Sequence, residues 1–118
     1  FVMGLGITDT TPLDTTDGVF FISADGDAGL DFLVEKDNSA TTTEDVATMA
    51  DDTFITTTWF IDSNASKVYY SINNADPVGV AITNLPDDEE LTVSFGIQNG
   101  EASAQTMTID YVVAAVER

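Results

Sequence analysis

The chain has 118 residues with a 43% hydrophobic share, which is the size of one compact domain able to bury a core without disulfides or metal, so residues 1–118 are expected to form a single domain. Three basic residues, Lys36, Lys67 and Arg118, stand against 21 acidic ones, giving a formal charge of −18. That sign excludes direct binding to nucleic acid, which needs clustered Lys and Arg against phosphate, and argues against anionic membranes; it favours solubility, tolerance of high salt or a basic partner surface.

Cysteine and histidine are both absent. Their absence removes disulfide frameworks, thiol nucleophiles, thiolate zinc sites and the side chain that most often moves protons near neutral pH. Catalysis would have to rest on carboxylates or threonine. No apolar run approaches the roughly 18 residues of a membrane span, and the opening Phe1-Val2-Met3 lacks the charged n-region of a signal peptide. A start at phenylalanine is what a fragment or processed product would show.

In chain order, the run from Val2 to Thr8 is the first expected strand. Val19 to Ser23 and Leu30 to Glu35 flank Asp25-Gly26-Asp27-Ala28-Gly29 and read as an antiparallel pair joined by a glycine-bearing loop. Phe20 and Ile22 are expected on one face, matched by Leu30, Phe32 and Val34 on the second strand. A threonine-rich run from Thr41 to Thr48 is the weakest strand signal, and Val46 to Met49 is the only stretch with room for a helical turn. Pro12 and the glycines interrupt the rest.

A second pair follows, Thr53 to Asp62 and Lys67 to Asn73, around the polar turn cluster Ser63-Asn64-Ala65-Ser66. Trp59 and Ile61 point one way and Phe60 the other. Val68, Tyr70 and Ile72 share a face opposite Lys67, Tyr69 and Ser71. Val78 to Ile82 is a short strand before the loop Asn84-Leu85-Pro86-Asp87-Asp88. The clearest period-two pattern comes last: Leu91, Val93, Phe95 and Ile97, then Met107, Ile109, Tyr111 and Val113, with Asn99-Gly100 supplying a turn in a loop that reaches Ala104. About nine short strands with threonine-rich outer faces and no sustained helical stripe predict an all-β fold, two antiparallel sheets packed about 10 Å apart as a β-sandwich or jelly roll.

Candidate sites are few. Asp25-Gly26-Asp27 offers carboxylates for calcium, but its spacing falls short of an EF-hand and glycine beside aspartate is equally the chemistry of a tight turn. Asp87-Asp88-Glu89-Glu90 reads as an anionic contact for a neighbouring protein's Lys or Arg, as part of a cation site, or as a solvated loop. Trp59, Tyr69 and Tyr70 have the faces for stacking on carbohydrate, against core packing as the simpler account; Tyr69, out of phase with Val68 and Ile72, is the better exposed of them. Asn64-Ala65-Ser66 fits the glycosylation pattern, relevant only in a secreted eukaryotic protein. Glycoside hydrolysis needs two carboxylates flanking a sugar, and nothing singles out Glu35 or Glu44; the adjacent Glu89 and Glu90 would face opposite sides of any strand. The reading is therefore of no catalytic residues, no cofactor and no metal, with Trp59, Tyr69, Asp87 and Asp88 as candidate partner or glycan contacts.

Gly18-Val19-Phe20-Phe21, Leu30-Asp31-Phe32 with Val34-Glu35-Lys36-Asp37, Trp59-Phe60-Ile61-Asp62 through Tyr70, Asn84-Leu85-Pro86-Asp87 before Leu91, and Thr108-Ile109-Asp110-Tyr111-Val112 with Glu117-Arg118 together resemble structural proteins of tailed bacteriophages, especially marine ones, that have a concanavalin A-like, lectin-like jelly roll. The resemblance covers most of the chain and describes a strand order more than a chemical site. It implies a non-enzymatic decoration or cement protein on the virion, bound to the major capsid protein at the capsid surface, as a homo-oligomer such as a trimer at local symmetry axes. A carbohydrate-binding module of the same fold, serving host adsorption, is the alternative.

Overall fold

The structure is a computed structural model that describes residues 1–7, 13–100, 102 and 104–116. Thr8 at the end of the expected first strand, Pro12, and the closing Glu117-Arg118 lie outside the described residues. Eight strands form two antiparallel sheets: β1 (Val2–Gly6), β2 (Gly18–Ile22), β3 (Gly29–Lys36), β4 (Ser39–Thr48), β5 (Thr57–Asp62), β6 (Lys67–Ile72), β7 (Val78–Ala81) and β8 (Thr92–Gly96). The larger sheet has the order β4-β3-β2-β1-β8 and the smaller one β5-β6-β7. No helix occurs among the described residues, and the chain is an all-β sandwich of unequal sheets.

Short polar turns set the registers. Asp37 and Asn38 (φ 51° and 60°) make the two-residue connection that pairs Lys36 with Ser39, in the left-handed conformation that Asp and Asn tolerate and that matches the twist of a tight hairpin. Asn73 and Asn74 repeat the same pair of angles after β6, and the Asn73 side-chain oxygen accepts the Thr56 N–H at 2.9 Å. Carboxylates do similar work. Asp62 Oδ1 accepts the N–H groups of Asn64 and Ala65 across the β5–β6 turn, and Asp27 Oδ1 accepts that of Gly29 beside Gly26 (φ 75°).

Alternation along the strands builds the core. Val19 and Phe21 on β2 pair with Val34 and Phe32 on β3, and these four, with Leu30, are buried against Val68, Tyr70 and Val80 of the smaller sheet. Phe32 sits with its ring centroid 4.9 Å from Phe21 and 4.8 Å from Tyr70, so one aromatic cluster joins the sheets. The expected match of Phe20 and Ile22 with Leu30, Phe32 and Val34 is corrected: Phe20 pairs with Leu33 and lies on the opposite face. It is buried there all the same, because Gly4 and Gly18 leave space where a Cβ would strike the Val19 carbonyl or the Phe20 side chain.

The position of the sheets follows from two contacts. Thr57 Oγ1 at the start of β5 reaches Met3 Sδ on β1 at 3.9 Å, and Asn84 Nδ2 just beyond β7 donates to Thr41 Oγ1 on β4 at 3.0 Å. The smaller sheet therefore covers the larger one from β4 to β1, and among the described residues no strand lies above β8.

The expected threonine-rich strand is present with wider bounds, while the helical turn, the strand count and the last strand are corrected. The threonine run is a full ten-residue strand, β4, which continues through Val46 to Thr48 and leaves no helical turn; its threonines alternate between the inner face, beside Phe32 and Val34, and solvent. Eight strands are present among the described residues, not nine. Met107 to Val113 forms no strand, because alternation records what a segment can bury while a strand also needs an edge to supply its hydrogen bonds, and no backbone hydrogen bond joins residues 106–116 to a sheet among the described residues.

Truncating the inter-sheet cluster is the most damaging single change to the fold. Phe32→Ala should lower the unfolding free energy by about 3–5 kcal/mol in urea titrations, the range for a fully buried phenylalanine that leaves a cavity.

Candidate functional site

The β5–β6 hairpin places its residues by simple alternation, and the register pairs Trp59 with Tyr70 and Phe60 with Tyr69. Trp59 thus faces inward and packs on the core, so it does not share a surface with Tyr69. Tyr69 faces outward and stacks on Phe60, centroids 5.2 Å apart and planes 16° from parallel. The next strand contributes Gly79 opposite Tyr69, where a Cβ would meet the Tyr69 ring at 2.9 Å. The missing side chain lets the tyrosine lie against the sheet, and the result is an aromatic platform in which Phe60, 47% exposed, stacks on a half-buried Tyr69. Phe60 was not among the candidates, although the signal was available: counting outward from the Ser63–Ser66 turn puts it directly opposite Tyr69.

Asp87 and Asp88 lie far from this platform. They bracket Lys36, with Asp88 Oδ1 at 3.2 Å from the Lys36 Nζ and Asp87 hydrogen-bonded to it more closely. Hydrogen bonds from the ammonium hold the Asp87 carboxyl below its ordinary range, and the same bonds raise the Lys36 pKa. The pair tethers the 82–91 crossing, which carries the chain from β7 to β8 across the end of the sandwich, to the end of β3. These acids have a partner within the chain, and their first role is to hold that crossing.

At the same end Glu35 on the outer face of β3 is pushed above the ordinary glutamate range by burial, then by the negative charges of Asp17 and Asp14. Asp17 is itself buried, its carboxylate accepting the Asp37 N–H at 3.0 Å and the Thr16 hydroxyl at 2.8 Å. Its hydrogen bonds account for it as a brace between the β1–β2 connection and the β3–β4 turn. At the opposite end Asp25 and Asp27 are exposed on the β2–β3 loop. No group of three or more potential metal ligands converges among the described residues.

Compared with known proteins, the chain matches no family model, no curated protein and no solved structure.

Two measurements probe the charged end. Because the folded-state pKa of Glu35 is raised, the folded state holds its proton more tightly than the unfolded chain, and stability falls as pH rises through that window. Glu35→Gln should therefore raise the melting temperature at pH 7, with the gain vanishing below the ordinary glutamate range. Lys36→Met should give a small loss of stability that fades in high salt, with faster amide exchange confined to residues 82–91, because an exposed ion pair is screened and weak.

Proposed function

We propose that this domain is a non-enzymatic packing module, a decoration or cement protein that binds the major capsid protein on the outer surface of a phage head and stabilises the shell. The viral assignment rests on the resemblance carried by Gly18-Val19-Phe20-Phe21, Trp59-Phe60-Ile61-Asp62 and the other segments quoted above. The observation that carries the docking role is the aromatic platform of Phe60 stacked on Tyr69 on the outer face of the smaller sheet. An exposed phenylalanine held in place by a stacked tyrosine on a sheet gives contact area at low conformational cost, as protein interfaces use aromatic side chains. The −18 charge suits a particle surface in high salt and favours basic patches on the shell.

A second reading is favoured by the same platform. The exposed Phe60 ring is suited to stacking on a sugar ring, and a lectin-like module for host adsorption would use it.

Purified protein added to undecorated heads should bind to saturation at a simple fraction of the shell protein's copy number, counted by quantitative mass spectrometry. Phe60→Ala with Tyr69→Ala should weaken that binding by roughly a hundredfold, the scale of losing interface hot spots, while the melting temperature changes little because both rings lie outside the core. Absence of binding to heads removes the capsid reading. Glycan-array binding that is lost in the same double variant would establish the lectin reading in its place.

A further inference from the structure

The inner face of β8 is only half covered among the described residues. Val93 and Phe95 pair in register with Leu5 and Met3 and so continue the core face of the larger sheet, yet they are 46% and 52% exposed. Beside this bare flank stands the free edge of β5, where Ile61, also on the inner face, is 45% exposed. The chain also carries an unpaired segment with the pattern of a strand: Met107, Ile109, Tyr111 and Val113 alternate with Thr106, Thr108 and Asp110, and Tyr111 and Val113 are exposed.

From the geometry and the charge we infer that a second copy of this chain fills the gap, each copy laying residues 106–116 as a strand along the β5 edge of another and over its β8. Self-complementarity is the first argument, since every copy holds both the vacancy and the segment that fits it. Charge is the second. Only two of the 21 acidic residues, Glu101 and Asp110, fall between Leu91 and Val116, so the segment that docks and the β8 face it covers bring few carboxylates of their own, although Asp62 on β5 and Asp51 and Asp52 near its foot remain beside the path.

Strand direction is the third argument. Met107 and Thr108 share an open hollow with Thr53 and Phe54 at the foot of β5, so within its own chain the segment would rise parallel to β5. Coming from another copy it can run antiparallel, the pairing used by every strand pair described and the slightly more stable one. An aromatic side chain buries about 150–250 Å², so Phe95 and Tyr111 with their aliphatic neighbours make up much of the roughly 800 Å² per partner of a stable interface. This self-association stands apart from the capsid reading: it concerns the purified protein alone and can succeed or fail without the shell.

Sedimentation equilibrium should show a closed oligomer, a dimer where exchange is reciprocal or a trimer where it is cyclic. Tyr111→Asp with Val113→Asp should weaken association by roughly a hundredfold while leaving the circular dichroism of the sheets unchanged. The natural absence of cysteine makes crosslinking unambiguous. Protein bearing Ile61→Cys mixed with protein bearing Ile109→Cys should form a disulfide between the two chains on mild oxidation. A monomer at the highest concentration reached, or a chain bearing both cysteines that closes the disulfide on itself while remaining monomeric, would overturn the proposal.

Discussion

The contact between Phe32 and its two aromatic neighbours, Phe21 beside it and Tyr70 across from it, is the interaction on which the rest depends. With no cysteine, and a charge of −18 that repels itself, the two sheets are held chiefly by buried apolar area. The cluster sits where β2, β3 and β6 cross, so it fixes the sheets laterally. That placement decides which strands are covered. It also orients the β5–β6 hairpin, turning Trp59 and Tyr70 inward and leaving Phe60 and Tyr69 to form the outer platform.

Unequal sheet width is the second organising fact. Three strands over five leave part of the larger sheet's apolar face without a partner, and the chain's own alternating segment after β8 does not supply one. The domain thus presents two apolar surfaces of different kinds. One is a pair of rings on a finished sheet face; the other is an unfinished edge of the core. The first suits reversible contact with a surface, the second suits strand addition, and they point in different directions from the sandwich.

Most of the fold was legible in the sequence because period-two alternation is a local property. The pairs on either side of Ser63–Ser66 and of Asp25–Gly29 follow from it directly, and so do the faces of Trp59, Tyr69 and Tyr70. Two features were not legible from alternation. Phe20 looked like a core-facing residue, and only Gly4 opposite it on β1 and Gly18 two residues before it on β2 show how a phenylalanine can be buried on the outer side. β4 looked weak because threonine hides its inward positions, although Asp37-Asn38 just before it is a strong two-residue hairpin signal. As for the site, the outward aspect of Tyr69 was readable from phase. The capture of Asp87 and Asp88 by Lys36 was not, because the three are brought together only by the path of the 82–91 crossing, some fifty residues away in the chain.

The carboxylates that accept backbone N–H groups at the turns bear on how this protein can be altered. Asp17, Asp27, Asp31 and Asp62 each receive at least one main-chain hydrogen bond, from Asp37, Gly29, Asp45, and Asn64 with Ala65 respectively. A surface that looks like an undifferentiated coat of acid therefore contains a fixed scaffold and a variable remainder. Recolouring the coat to suit another salt or another partner is open at Asp51, Asp76, Glu89 and Glu90, which are exposed and make no such bond among the described residues. The four scaffold positions are joints of the architecture, and a charge-swapped descendant that kept the fold would be recognisable by their persistence.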